Sequence, residues 1–369
     1  MTRPATQDDV ARLAGVSRST VSIVLNNRTN RRISISEETR QKVWAAAVRL
    51  GYEPNALARS LRSGQSRSIG VLVPDLFNHH YLEILEGIEQ VLTSQGYHLA
   101  LVVTNFDPDR ERSCYRSLLQ QRLDGLILMP TFWDQMPDEV ATLSEMGRPA
   151  VVLMHGESNT DRVTSDIRGG AAALMDHLLS LGHQRIGFIN GVARLVMTED
   201  RRQMYRRKLD EAGVAFDPAL TVHCGTTMVD GYQAAAQLLS LANPPTAIWT
   251  INDVLAVGAR RAIDDMGLRV PEDVALAGCD GTALAAQLTP PLTTIVIPAR
   301  RIGQRSAEVV LRRLGDRDGD PVLEILPTQL LVRRSTDPTI PKAVTLAGSA
   351  AEVVSPAEPQ CQSKPVERR

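Results

Sequence analysis

Apolar residues recur at helical spacing at Val10, Leu13 and Ala14, stop at Gly15, and resume at Val21, Val24 and Leu25. This pattern predicts a helix, a turn and a second helix within residues 6–27. Thr6 followed three positions later by Asp9 is a variant capping box, and Ser17 is a suitable N-cap for the second helix. Gly15 can take the positive φ that a sharp turn needs. A third helix is expected from the Ser36 cap to Leu50, with Val43, Trp44, Ala47 and Leu50 as its apolar face and Gly51 as its end. The connection before it, NNRTNRRISI, holds Arg28, Arg31 and Arg32 and reads equally as a solvated loop or as a phosphate contact. After it, residues 55–62 make a turn or two of helix, too short to be stable unpacked.

From Ser68 the rhythm changes to short apolar runs alternating with helical stretches. Strands are expected at 69–73, 99–103, 125–129 and 150–154, with helices at 81–95, 110–121 and 139–146. A second series puts helices at 170–181, 200–212, 231–241 and 253–266, and strands at 185–189, 221–224, 247–250 and 274–278. Such alternation gives parallel sheets with helices on both faces, here as two similar lobes. Residues 290–298, PPLTTIVIP, are expected to carry the chain back to the first lobe, where 300–314 forms a helix before 324–332 closes the sheets. From Asp337 to Arg369 periodicity is lost in a Pro, Ala, Ser and Glu-rich stretch, which predicts disorder.

Charge adds a polarity to this outline. Residues 1–67 carry twelve Lys or Arg against five Asp or Glu, a surplus of seven, on a chain of net charge −1; the remainder therefore sits near −8. A basic head on an acidic body is the footprint of a head that meets phosphates. The four cysteines, Cys114, Cys224, Cys279 and Cys361, have neither zinc nor disulfide spacing, and read as small buried residues in a reducing compartment. No apolar run reaches membrane-spanning length, and MTRPATQDD lacks the apolar core of a signal peptide, so a cytoplasmic location is expected. The His79-His80 pair has no third ligand at metal spacing, and no G-x-S-x-G, phosphate-loop or dinucleotide fingerprint occurs. No catalytic residue, cofactor or metal is assigned, and an enzyme is not expected.

The ordered set DDVARLAGVSRSTVSIVLN, SEETRQKVWAAAVRLGYEPNALARSLRSGQS, SIGVLVPD, LDGLILMP, GHQRIGFING, NDVLAVGARRAIDDMGLRVPEDVALAGCD and LTTI resembles the lactose-repressor (LacI/GalR) family to about Thr336. The resemblance implies an N-terminal all-α helix-turn-helix head and an α/β core of two doubly wound lobes, like type I periplasmic binding proteins. The corresponding segments are 1–52 (head), 53–67 (hinge helix and linker), 68–336 (effector-binding and dimerisation core) and 337–369 (tail). It implies a homodimer on double-stranded operator DNA, governed by a small-molecule effector.

Residue roles follow from the same likeness. The second helix enters the major groove by its N-terminal end. Arg18 can present its fork to guanine O6 and N7, and Ser19 can donate to a base or a phosphate. Thr20, Ser22 and Asn26 suit phosphate contacts that fix register, with Thr6 and Ser17 beside them. Ile23 stands where many relatives have a polar residue, and offers only apolar contact, for example to a thymine methyl, or leaves that base unread. Asn55, Ala58 and Leu61 belong to the hinge helix, with Leu61 as the wedge between base pairs in the minor groove. The effector cleft is assigned to His80, Tyr81, Leu195, Met197, Arg201, Asn252 with Asp253, and Asp280, Asp280 and Asn252 being able to bond ligand hydroxyls or merely to cap helices. Leu195 and Met197 replace polar residues of sugar and purine regulators, and Met154 or His155 replaces an aspartate, which points to a less polar ligand or to simple filling of the cleft. Two alternatives stay open: a constitutive repressor without effector, and a solute-binding protein built on the same lobes.

Overall fold

A computed structural model describes residues 5–25, 35–52, 65–135, 147–153, 160–192, 196–316 and 319–341, without the side chains of Val196 and Met197. The chain forms two compact units, Met1–Arg67 and Ser68–Arg369.

The first unit contains α1 (Gln7–Ala14), α2 (Arg18–Leu25) and α3 (Glu37–Leu50). Thr6 and Asp9 form the reciprocal capping box, and Gly15 takes φ 67° to end α1. Ser17 Oγ accepts the Thr20 N–H at 3.1 Å, and Ser36 accepts that of Thr39 at 3.3 Å. The helices close on Val10, Ala11, Val21, Val24, Leu25, Val43, Ala46 and Ala47. Here the expected face of α3 is corrected: Trp44 is 48% and Leu50 37% exposed. Three short helices bury only the narrow stripe facing their common centre, which on α3 is Val43, Ala46 and Ala47, and small residues there let the backbones approach.

The second unit holds two six-stranded sheets. The first lobe begins with β1 (Ser68–Val73), α4 (His79–Ser94), β2 (His98–Val103), α5 (Pro108–Gln120), β3 (Gly125–Leu128), β4 (Ala150–Val152) and β5 (Asp161–Ser165). The second lobe contains α6 (Ile167–Ser180), β6 (Ile186–Ile189), α7 (Val196–Glu211), β7 (Thr221–Val222), α8 (Met228–Leu239), β8 (Ala247–Thr250), α9 (Asp253–Asp265), β9 (Ala275–Asp280), α10 (Ala283–Gln287) and β10 (Thr293–Val296). Then α11 (Ala299–Gly315) and β11 (Leu323–Leu326) return to the first lobe, and β12 (Gln329–Leu331) ends in the second.

Strand order is β11-β5-β4-β3-β1-β2 in one sheet and β12-β10-β9-β8-β6-β7 in the other. All observed pairings are parallel except β10 with β12. In both, the first strand of the lobe is flanked by the second on one side and the third on the other, the reversal point where such sheets hold ligands at their carboxyl ends.

Two expectations are corrected by this topology. Residues 290–298 do not carry the chain back: Thr293–Val296 pair with Ala277–Asp280 in the second sheet, and the return follows Pro298. Strand β5 was not anticipated because its sequence, DRVTS, is polar. Inside the fold that polarity is satisfied: the Asp161 carboxylate accepts Arg313 Nε at 2.8 Å, Arg313 Nη2 at 2.9 Å and the Val322 N–H at 2.7 Å. The expected disorder from Asp337 is also corrected at its start. Asp337 accepts the Thr339 N–H at 2.9 Å and its hydroxyl at 2.6 Å, next to a segment sewn to the second lobe by Thr293 N–H on Ser335 Oγ at 2.8 Å. Residues 342–369 and the expected helix at 139–146 lie outside the described residues.

Each lobe is tightened by a helix pair that crosses at facing glycines. A Cβ on Gly87 of α4 would run into the Arg300 carbonyl of α11, and one on Gly303 into that of Ile84. The second lobe repeats this with Gly231 of α8 against Leu255, and Gly258 of α9 against Met228. Among the described residues, no helix is long and apolar enough to cross a membrane.

Candidate DNA-reading face and effector cleft

In the first unit, α2 buries Val21, Val24 and Leu25 and turns Arg18 and Ser19 to solvent, with Ser22 and Ile23 half-buried one turn on. Positions 18, 19, 22 and 23 share one helix side, as the 3.6-residue repeat requires. The N-terminal turn is ordered by its hydroxyls: Ser17 Oγ lies 2.7 Å from Ser19 Oγ and 2.8 Å from Thr20 Oγ1. Arg18 Nε sits 3.8 Å from Asp8 Oδ1 of α1. The Thr6 hydroxyl donates to Asp9 at 2.6 Å and belongs to the capping box. Asn26, Asn55, Ala58, Leu61, Leu195 and the side chain of Met197 lie outside the described residues.

Between the lobes of the second unit, the carboxyl ends of the strands bring together residues far apart in sequence. Asp75 accepts the N–H groups of Phe77 at 2.8 Å and Asn78 at 3.0 Å, which fixes the turn after β1. Asn78 then caps α4 by accepting the His80 N–H at 3.0 Å. Its amide Nδ2 donates to Asp280 Oδ2 at 2.9 Å, tying the first lobe to the end of β9 in the second. Asp280 holds φ 113°, a conformation unusual for a residue with a side chain. Arg201, on α7, donates from Nη2 to Cys279 Sγ at 3.7 Å. An aromatic edge runs along the first-lobe side, with His80 and Tyr81 ring centres 5.3 Å apart and Tyr81 and Phe106 6.5 Å apart. Asn105 and Phe106 both have positive φ, 56° and 54°.

Asn252 is spent on structure: its Oδ1 accepts the Leu255 N–H at 2.8 Å and caps α9. Its neighbour Asp253, fully buried, accepts the Thr282 N–H at 2.8 Å, the Thr282 hydroxyl at 2.9 Å and the Thr294 hydroxyl at 2.7 Å. Burial raises the pKa of both Asp253 and Asp280, and the charge of Asp280 adds to the rise at Asp253. Burial pushes the Cys279 thiol up to about 12 despite the neighbouring Arg201, so it is held as a neutral thiol.

His80 goes the other way. Burial, then the Arg201 charge, lower it to about 4, against the opposing pull of Glu83. Its Nδ1 and the Asn190 Oδ1 at the end of β6 are buried without a hydrogen-bond partner among the described residues. A histidine lowered in the folded state binds fewer protons there than when unfolded. Its contribution is therefore complete above the unfolded value near 6.5 and is lost as pH falls toward about 4. His80 as a residue is half-buried, so the loss is expected to be on the order of 2 kcal/mol and not the full shift. Melting the wild type and His80→Gln between pH 7 and pH 4 checks this: the variant should lose less stability on acidification, and parallel curves would contradict it.

Residues 6–55 match the family described as bacterial regulatory proteins, lacI family, and residues 175–336 match the periplasmic-binding-protein-like domain. The HTH-type transcriptional repressor PurR of Aliivibrio fischeri is 33% identical over 337 residues, which span 90% of this chain and 98% of that one. The chain belongs to the lacI family of bacterial regulatory proteins. This regulator is similar to the lac repressor dimer bound to operator and the anti-inducer ONPF, with a TM-score of 0.80 and 30% identity over 90% of this chain and 99% of that one. It is also similar to the CelR–cellobiose complex, TM-score 0.67 and 29% identity over 90% and 99% of the two chains. A LacI family regulator from Enterococcus faecium with bound ribose gives a TM-score of 0.64 and 29% identity over 74% and 100%. The regulator is a DNA-binding transcriptional repressor of this family.

Two residues of the regulator's cleft were not singled out from the sequence: Asn78 and Phe106. Asn78 carried a usable signal, since an Asn following Asp75 and preceding an apolar helix is a cap. Nothing in the sequence separates a cap from a cap whose amide also reaches the other lobe.

Proposed function

We propose that the regulator binds a near-palindromic operator as a homodimer in the cytoplasm, reading bases through Arg18, Ser19 and Ile23, and that a small polar metabolite in the cleft adjusts its affinity. The observation that carries the DNA part is α2, which buries its apolar side and offers one polar face beginning at its N-terminal turn. Thr20, Ser22 and Asn26 take phosphates that set the register, and residues 53–67 act as the hinge, with Leu61 as the minor-groove wedge.

For the cleft, the reading is supported by the cluster of Asn78, His80, Tyr81, Arg201 and Asp280, and by the unpartnered His80 Nδ1 and Asn190 Oδ1. Buried polar atoms without partners are costly, and a ligand carrying donors and hydroxyls satisfies them. Similar proteins hold cellobiose, ribose and ONPF, which favours a sugar or a related polyhydroxy metabolite. The Asn78–Asp280 bond is where such a ligand acts, because anything entering between the two side chains changes how the lobes meet. The effector shifts operator affinity only by its different affinity for the two arrangements, typically about 1–3 kcal/mol. No catalysis is assigned.

The test is to find the operator by genome-wide binding, then to melt the regulator with sugars, sugar phosphates and nucleosides. A ligand of the folded state at a hundredfold its Kd raises stability by about 2.7 kcal/mol. The expected result is one class that raises the melting temperature and also changes operator binding. Melting and binding unmoved by every class would leave a constitutive repressor. No preference for any duplex over random competitor would overturn the whole reading.

A further inference from the structure

We infer that Asp8 is a positioning residue for Arg18: it holds the guanidinium for base pairing and disfavours its capture by phosphate, so that an acid sharpens the selectivity of a basic head. The inference rests on reading α2 as the base-contacting helix.

Two adjacent acids open α1, both in its first turn where a carboxylate complements the helix dipole, and only one of them takes part in the cap. Asp9 closes the capping box by accepting the Thr6 N–H at 2.9 Å and its hydroxyl at 2.6 Å. Asp8 takes no part in that box. Its carboxylate instead reaches α2, where Oδ1 lies 3.8 Å from Arg18 Nε, with both side chains about 60% exposed (60% and 61%). Arg18 is the only charged residue of α2. An exposed pair of this kind adds little to stability, and an acid at this place runs against the general attraction of the head for phosphate. The helix dipole accounts for an acid at this position, but not for its reach to Arg18.

The geometry does. The nearest approach is at Nε, on the flank of the guanidinium, and leaves the edge formed by the two terminal nitrogens for guanine O6 and N7. An unrestrained arginine at a helix N-terminus has many rotamers and will neutralise any phosphate within reach, on any sequence. With Asp8 at its flank, Arg18 keeps its ion pair while it pairs with a base in the groove. To meet a phosphate it must abandon the carboxylate or draw that negative charge toward the negative backbone. Asp8 therefore costs more on unrelated duplex than on the operator.

The test uses the full-length protein on the operator found by genome-wide binding and on a scrambled duplex of equal length. Asp8→Asn keeps the shape and removes the charge. It is expected to tighten binding to the scrambled duplex and to lower the operator-to-scrambled affinity ratio about fivefold. The decisive comparison is the same substitution in an Arg18→Ala background, where the ratio should no longer respond to position 8. An equal response with and without Arg18 would overturn the inference, since Asp8 would then act only through its general field. Thermal melts of both variants separate any loss of α1 from the DNA effect. If Arg18→Ala alone leaves the ratio unchanged, the base-reading assignment of α2 fails, and the role of Asp8 falls with it.

Discussion

Replacing Arg18 with alanine is expected to weaken binding to the true operator by about 1–3 kcal/mol, roughly five- to 150-fold, while binding to unrelated duplex changes little. Arg18 is exposed at the N-terminal turn of α2, where it takes no part in the core of Val21, Val24 and Leu25. Its loss removes no buried contact, so the head should melt as before. On the proposed reading, what is lost is a two-point hydrogen bond to one base, which matters only where that base is present. One base position of the operator should therefore become tolerant of substitution. Titrations at a single fixed salt concentration against the operator, its single-base variants and a scrambled duplex check this. Equal losses on every sequence would return Arg18 to a phosphate contact.

Gly258→Ala is expected to have the largest effect on stability, about 3 kcal/mol or somewhat more. The added Cβ falls on the Met228 carbonyl oxygen, with the Tyr232 nitrogen next nearest. Both are backbone atoms of α8, so no side chain can rotate out of the way, and the two helices must separate. Separation unpacks the apolar layer that α8 and α9 share over the second sheet. Gly315 offers the control: nothing lies within 4 Å of a Cβ placed there, and its alanine variant should melt close to wild type. A midpoint for Gly258→Ala within about 0.5 kcal/mol of wild type would show that the crossing yields more readily than its geometry implies.

Much of this architecture is legible in the chain because apolar spacing and caps report local structure directly. Thr6, Gly15, Ser17, Ser36 and Gly51 mark helix ends in the sequence and occupy those places in the fold. The parallel strands read as apolar runs because both faces are covered. Legibility stops where satisfaction is tertiary. Strand β5 looks like a loop until Arg313, from 152 positions away, meets Asp161. Trp44 looks like core because hydrophobicity is a property of the residue, whereas facing the centre is a property of the assembly.

The cleft divides along the same line. The chain places His80, Tyr81, Arg201 and Asp280 after strands or at helix starts, and the structure sets them within electrostatic reach of one another. That Asn252 is consumed as a cap while Asn78 bridges the lobes follows from a hydrogen bond between residues 202 apart, which no local pattern encodes.

The path of the polypeptide sets a limit on how the core can be divided. It passes from one lobe to the other after β5, after β10 and again between β11 and β12. A protein truncated after the second of these passages would lack α11, the partner of α4, and the outermost strand of each sheet, so neither half should be recoverable as a soluble fragment from a consecutive stretch of the gene. The same triple strap lets the halves pivot but not drift apart, so that movement at the mouth of the clamshell is transmitted as rotation.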